Sequence, residues 1–345
     1  MTERFASCWW LQDHIELSYD GKVHACCYGY PKQRKTMQKD RVNNEVTWEE
    51  VGHVPLCDVV GDKFPAEAIR IARDDLHRQI AEQRAEAEVC LECPVLKTRA
   101  WPPQQYLVNQ LTLNTWLHCN LKCFYCFVAN PNFKASKVKY NLHAVIDDML
   151  KGEHLNPAGS VTWGGGDISA LVEFDEVCEL FVAYGVKQMI KTSAFKYLKG
   201  VSQVLETGLG TVEVSVDAGT AETYAQIKGK DAYDRVTENL KQYAQHGDVQ
   251  LKYIATKDNL DDRNIDGFVE LAQVLKTKSV MVTPEWTQCH NGEYNDQHHQ
   301  QIAKLIGMLR ATASVAPVND DDGARLFPNG MWNRVMPYLN PVPAE

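Results

Sequence analysis

No run in this sequence is long and apolar enough to span a bilayer, and its first residues, Met1-Thr2-Glu3-Arg4-Phe5-Ala6-Ser7-Cys8, hold no hydrophobic signal core. The first absence argues against a membrane-spanning helix, and the second leads to the expectation of a cytoplasmic protein. Positive charge is also in short supply: 36 Lys and Arg stand against 45 Asp and Glu, a net charge of −9. That balance argues against the broad basic footprint of non-specific nucleic-acid binding, while leaving room for a nucleotide. Cysteine, by contrast, is plentiful, with eleven in 345 residues. A reducing compartment disfavours structural disulfides, and an odd number leaves at least one thiol unpaired, so metal or redox chemistry is the better explanation.

Two regions differ in texture. Residues 1 to 100 carry six of the cysteines among short segments with scattered Gly and Pro. Within them Pro65 opens a helix with Ile69, Ala72, Leu76 and Ile80 on one face and Arg and Glu on the other. That helix leads to Cys90-Leu91-Glu92-Cys93, and Trp101-Pro102-Pro103 then reads as a boundary, since paired prolines continue neither a helix nor a central strand. Beyond it runs a strand–helix rhythm. Strands are expected at Leu111–Trp116, Ser160–Trp163, Gln188–Thr192, Val212–Val216, Gln250–Ala255 and Ser279–Thr283. Helices are expected at Leu142–Leu150, Phe174–Tyr184 and Ile265–Leu275. Alternation of this kind predicts an α/β fold with a parallel sheet, and six units fit a partial (β/α)6 barrel better than a closed eight-stranded one. The expected division is a cysteine-rich α+β domain over 1–100, the barrel over 101–295, and a C-terminal helix with an irregular tail over 296–345.

The stretch Leu117-His118-Cys119-Asn120-Leu121-Lys122-Cys123-Phe124-Tyr125-Cys126 directly follows the first expected barrel strand. Three thiolates in one loop can each ligate one iron of a cubane, leaving the fourth iron open, as catalytic metal sites require. Zinc held by the three cysteines and His118 is the competing reading of the same residues. The C-x3-C-x2-C spacing, with an aromatic residue before its last cysteine, resembles the motif of the radical S-adenosylmethionine (SAM) superfamily. The resemblance implies a [4Fe–4S] cluster on Cys119, Cys123 and Cys126, with SAM chelated at the open iron and Tyr125 near the adenine. It also implies reductive cleavage of SAM to a 5′-deoxyadenosyl radical that abstracts a substrate hydrogen, and a flavodoxin- or ferredoxin-type reductant.

Two further segments fall in the order that superfamily has. Trp163-Gly164-Gly165-Gly166-Asp167 ends the second expected strand, where glycines permit close backbone approach. It resembles the Gly-Gly-Glu motif that holds the SAM amino group, which points to Gly165, Gly166 and Asp167, with Asp167 standing where Glu is usual. A plain turn is the alternative. Val212-Glu213-Val214-Ser215-Val216-Asp217 resembles the fourth-strand segment that reaches the SAM ribose or carboxylate, with Ser215 as the candidate. A capping or strand-end role for Ser215 is the alternative. No catalytic acid, base or second radical residue is identifiable.

At the N-terminus Asp20-Gly21 marks a hairpin that would bring Cys8 towards Cys26, and Cys90 with Cys93 add a C-x2-C pair. Four thiolates would saturate a cubane. The set Cys8, Cys26, Cys90 and Cys93 resembles the twitch form of the SPASM extension, which implies an auxiliary [4Fe–4S] cluster, although such extensions usually follow the barrel. A zinc ribbon is the other reading. Cys27 is an alternative ligand to Cys26, Cys57 is a spare, Cys178 reads as core, and Cys289 stands where a substrate-side role is conceivable. The expected function is hydrogen abstraction from a peptide or protein side chain, with a small molecule (alcohol, sugar or nucleotide) as the second substrate class. An iron–sulfur electron-transfer or sensor protein is the non-enzymatic alternative.

Overall fold

The computed structural model describes residues 4–26, 55–93, 95–102, 107–129, 137–317 and 320–339. The chain divides into two compact units, Met1–His118 with Asn130–Met189, and Cys119–Ala129 with Ile190–Glu345.

The first unit contains β1 (Arg4–Ser7), β2 (His14–Ser18), β3 (Lys22–His24), β4 (Pro55–Asp58), β5 (Lys97–Ala100), β6 (Val108–Asn114) and β7 (Leu155–Trp163). β1 and β5 form an antiparallel ribbon. The others are ordered β7-β6-β2-β3-β4, parallel from β7 to β2 and antiparallel beyond. The hairpin expected at Asp20-Gly21 joins β2 to β3; Gly21 has φ of 90°, and its amide donates to Ser18 O at 3.1 Å. Register sets Ile15 beside Leu111 and Leu111 beside Val161, and likewise Leu17 beside Leu113 and Leu113 beside Trp163, all of them buried. Trp163 anchors that face. Its ring lies edge-on to Phe174 and Phe181, with centroids 4.8 and 6.0 Å away, and its Nε1 donates to Gln188 Oε1 at 2.9 Å. The helix Ala66–Ala81 buries Ile69, Leu76 and Ile80 as its spacing predicts, and also Arg73 at the same face, whose Nη2 donates to His14 O at 2.6 Å. Trp101, at the expected boundary, lies buried within this unit beneath the Arg99 guanidinium, 3.7 Å from its ring centre.

The second unit contains β9 (Gly210–Ser215), β10 (Val249–Ala255), β11 (Ser279–Pro284) and β12 (Ser314–Ala316), all parallel. Val212, Val214, Leu251, Tyr253, Val280 and Val282 alternate along the strands and are buried, giving the period of two that a one-sided core needs. β8 (Lys187–Thr192) carries the division between the units. In chain order β6 to β11 are each followed by helix, so the expected α/β class with six strand–helix repeats is the one found. After β11 come helices Trp286–His290 and Asp296–Arg310, then β12, and helices Asp320–Leu326 and Met331–Leu339. Among the described residues no helix is long and apolar enough to cross a membrane.

Candidate functional site

The cysteine loop is built on the end of a helix. Helix Ala221–Lys228 stops at Gly229, which is left-handed with φ of 66°, and its last carbonyls would otherwise lack partners. The loop supplies them: Lys122 N donates to Lys228 O at 2.9 Å and Phe124 N to Ile227 O at 3.1 Å. A Cβ on Gly229 would meet Lys122 O at 2.8 Å, so the glycine is required by both conformation and contact. Within the loop Leu121 is buried, Cys126 N donates to Cys123 O at 3.0 Å, and Cys119, Cys123 and Cys126 are each half-buried.

Behind the loop sits a polar knot that the sequence did not announce. The Tyr125 hydroxyl donates to the Asp217 carboxylate, and the Lys228 ammonium bonds both Asp217 and, at 2.9 Å, the Tyr125 oxygen. The Asp217 and Lys228 side chains are 0 % and 2 % exposed, so the pair is removed from solvent screening. Asp217 has φ of 59°, and its place is fixed by Ile254 N donating to Oδ1 at 2.7 Å and Asn259 Nδ2 donating to its carbonyl at 2.8 Å. Burial pushes the Cys123 thiol up; Lys228 opposes that rise, while Asp217 and Cys126 add to it. Tyr125 is raised well above its ordinary range, chiefly by burial and then by Asp217. Ser215, the residue favoured from sequence, ends β9 opposite Lys252 and is half-buried. Asp217 closes the fourth-strand segment in which the sequence favoured Ser215 instead, whereas Lys228 belongs to no local motif and only its place before Gly229 sets it apart.

The three thiols offer the all-sulfur donor set that an iron–sulfur cluster uses. Among the described residues no three His, Cys, Asp or Glu side chains converge as a single bound ion requires. A cubane places each thiolate on a different iron, so its ligands stand farther apart, and an all-thiol donor set is the one iron–sulfur clusters use.

In the first unit the glycine loop runs beside the segment leaving β6. Gly164 N donates to Leu113 O at 2.9 Å, Gly166 N to Trp116 O at 3.0 Å and Asp167 N to His118 O at 2.8 Å. A Cβ at Gly165, where φ is 99°, would lie 2.3 Å from Trp116 O, and one at Gly166 would lie 2.0 Å from His118 O. These glycines are therefore demanded by the fold itself. Alanine at Gly166 should cost about 3 kcal/mol or more through overpacking. Alanine at Gly164, whose Cβ would meet only Leu113 O at 3.9 Å and Thr112 Cγ2 at 4.0 Å, should be within about 1 kcal/mol of wild type. Thermal unfolding of both variants checks this, and equal melting temperatures would refute it. Asp167 is buried and caps the turn Ile168–Ala170, its Oδ2 accepting from Ser169 Oγ at 2.8 Å. Thr115 Oγ1 and Trp116 Nε1 are buried beside this loop without a hydrogen-bond partner, the kind of orphan that a polar ligand satisfies.

The N-terminal thiols lie in the same unit. Cys8 and Cys90 pack against the apolar cluster of Leu11, Ala25, Leu76, Ile80 and Ala87, and Cys26 follows Ala25 directly. Burial pushes Cys90 up to about 12, and Cys8 and Cys93 add to the rise. Cys8 is raised too, by burial first and by Cys93 among lesser causes. The Leu11 amide donates to Cys8 Sγ at 3.4 Å, and Cys93 N donates to Cys90 O at 3.1 Å. Cys8 and Cys90 thus pack against one apolar cluster, with Cys93 three residues beyond Cys90. Cys57 lies on β4 opposite Val23, and Cys27 lies outside the described residues. Cys178 is buried core, whereas Cys289 is buried with its Sγ 3.4 Å from Met331 Sδ and from Pro328 O.

Residues 113–271 match the family model described as the radical SAM superfamily. A protein of Saccharolobus islandicus named "Probable GTP 3',8-cyclase" is 28 % identical over 233 residues, covering 65 % of this chain and 73 % of the relative. One of the same name from Sulfurisphaera tokodaii is 22 % identical over 230 residues, covering 65 % and 71 %. Among solved structures, Streptococcus suis SuiB bound to S-adenosylmethionine aligns with a TM-score of 0.47 at 16 % identity. That alignment covers 72 % of this chain and 62 % of SuiB, so less than two thirds of that structure is spanned.

Proposed function

Since the chain belongs to the radical SAM superfamily through residues 113–271, we propose that this enzyme abstracts hydrogen from a small molecule of the nucleotide class. When bound and reduced, the cluster would supply one electron to the sulfonium of SAM, whose carbon–sulfur bond would break to give methionine and a 5′-deoxyadenosyl radical able to take a hydrogen atom. The chain's own residues have separate tasks. Cys119, Cys123 and Cys126 hold three irons, and the helix end Ile227–Lys228 fixes the loop that carries them. Gly165 and Gly166 admit the backbone of residues 116–118, and Thr115 and Trp116 offer unpartnered polar atoms to the ligand. Asp167 orders the glycine loop by capping its turn, so a direct bond to SAM would add to that task. Cys8, Cys26, Cys90 and Cys93 are proposed to hold an auxiliary cluster that passes electrons, and a flavodoxin- or ferredoxin-type protein is the proposed reductant.

The substrate class rests on one observation. From sequence alone a peptide side chain stands first and a small molecule second. The similarity to proteins named for a GTP reaction, extending over 73 % of one such relative, favours the second. Anaerobically reconstituted protein should therefore form more 5′-deoxyadenosine from SAM and dithionite when GTP or another nucleoside triphosphate is added. Deuterium should pass from a ring-labelled nucleotide into that product. Stimulation by a peptide fraction of cell extract, with none by any nucleotide, would reverse the choice.

A further inference from the structure

We propose that Lys228, paired with Asp217 behind the cysteine loop, is a positioning residue that sets the reduction potential of the cluster held by that loop. This inference rests on the assignment of Cys119, Cys123 and Cys126 as cluster ligands. The loop needs no ion pair to stay attached, because the backbone bonds from Lys122 and Phe124 already join it to the helix end. Burying two charges carries a desolvation cost that a packed apolar pair would not. What the pair adds is charge close to Cys123, in a place where solvent screens it little. Lys228 meets the loop beside two of its three thiols: its carbonyl accepts from Lys122 N at 2.9 Å, next to Cys123, and its ammonium bonds the hydroxyl of Tyr125, next to Cys126. Removing its positive charge would leave the Asp217 carboxylate unbalanced at that place. Reduction adds an electron to the cluster, and a positive surrounding favours the reduced form. Tyr125, two residues after Cys123 and one before Cys126, ties the pair to the loop by bonding both of its members.

The test is a redox titration of reconstituted full-length protein, following the cluster whose electron paramagnetic resonance signal responds to SAM. Lys228→Gln should shift the reduction equilibrium at least tenfold towards the oxidised form, about 59 mV for one electron. Lys228→Arg keeps the charge and should titrate with wild type. Lys230 bonds Asn120 O in the same loop at 3.3 Å but is exposed, so Lys230→Gln should move the midpoint far less. A fully loaded Lys228→Gln protein with an unmoved midpoint would overturn the inference, as would equal shifts for Lys228→Gln and Lys230→Gln. Should Lys228→Gln fail to hold iron, Lys228→Arg decides: iron loss or an altered midpoint there refutes the proposal, and wild-type behaviour supports it. A wild-type protein that takes up no SAM-responsive cluster would refute the ligand assignment itself, a result distinguishable from the others.

Discussion

Replacing Cys123 with alanine is expected to abolish 5′-deoxyadenosine formation while the fold persists. Two thiolates remain in the loop, too few to hold a cubane whose fourth iron must stay open for SAM. The loss should be to background, because radical formation has no route around the missing cluster. The folded state should change little. Cys123 is half-buried, and the loop keeps its attachments through the amides of Lys122 and Phe124 and through the Tyr125 bond to Asp217. A stability loss of about 1 kcal/mol is the ordinary scale for such a change. The measurements are product by chromatography after dithionite addition, iron content, and melting temperature. Undiminished product would remove the loop from the catalytic centre. Product lost together with the thermal transition would show only that the variant fails to fold, and Cys126→Ala would then carry the test.

How far the sequence reached depended on how local each feature was. The cysteine loop and the Asp20-Gly21 hairpin were legible because their spacing and turn residues lie within a few positions of one another. Six strand positions were legible from alternation, but β7 begins at Leu155 rather than at Ser160. Pro157, Ala158 and Gly159 look like a turn, yet Gly159 lies so close to β6 that a Cβ would stand 2.7 Å from Asn109 O. The register shift between Val108 and Gln110 accommodates that approach. Pairing of β2 with β6 was not legible, since nothing in either strand names its neighbour. The burial of Arg73 escaped notice because a helical wheel places it on the apolar face but cannot supply the His14 carbonyl that receives it. The largest gap was the knot of Tyr125, Asp217 and Lys228. Its members lie 92 and 11 residues apart, and a buried ion pair follows no period. The glycine loop taught the opposite lesson. Its residues were found, but the contacts that require Gly165 and Gly166 are with the chain's own carbonyls, so bulky variants there test folding before they test SAM binding.

Removing the whole SAM-site triad, as Cys119→Ala, Cys123→Ala and Cys126→Ala together, should leave about four irons and four sulfides per chain, the content of one cubane. The argument starts from crowding. Burial raises Cys90 and Cys8, and each rises further because other thiolates are near, so this group is unfavourable as bare anions. A bound metal reverses that balance by supplying the positive charge the thiolates need. Cys26 is the expected fourth ligand, since Ala25 before it is buried in the apolar cluster against which Cys8 and Cys90 pack. Were all four thiols ligands, no iron there would be free for substrate, and electron transfer would be the remaining role, with burial and hydrogen bonds to sulfur setting the potential. Adding Cys90→Ala to the triple variant should then strip the remaining iron and sulfide. A single zinc with no sulfide in the triple variant would refute the auxiliary cluster and make the N-terminal thiols a structural ribbon. Electrons could then reach the SAM site without passing through these thiols, and redox-neutral chemistry would become the better account of the reaction.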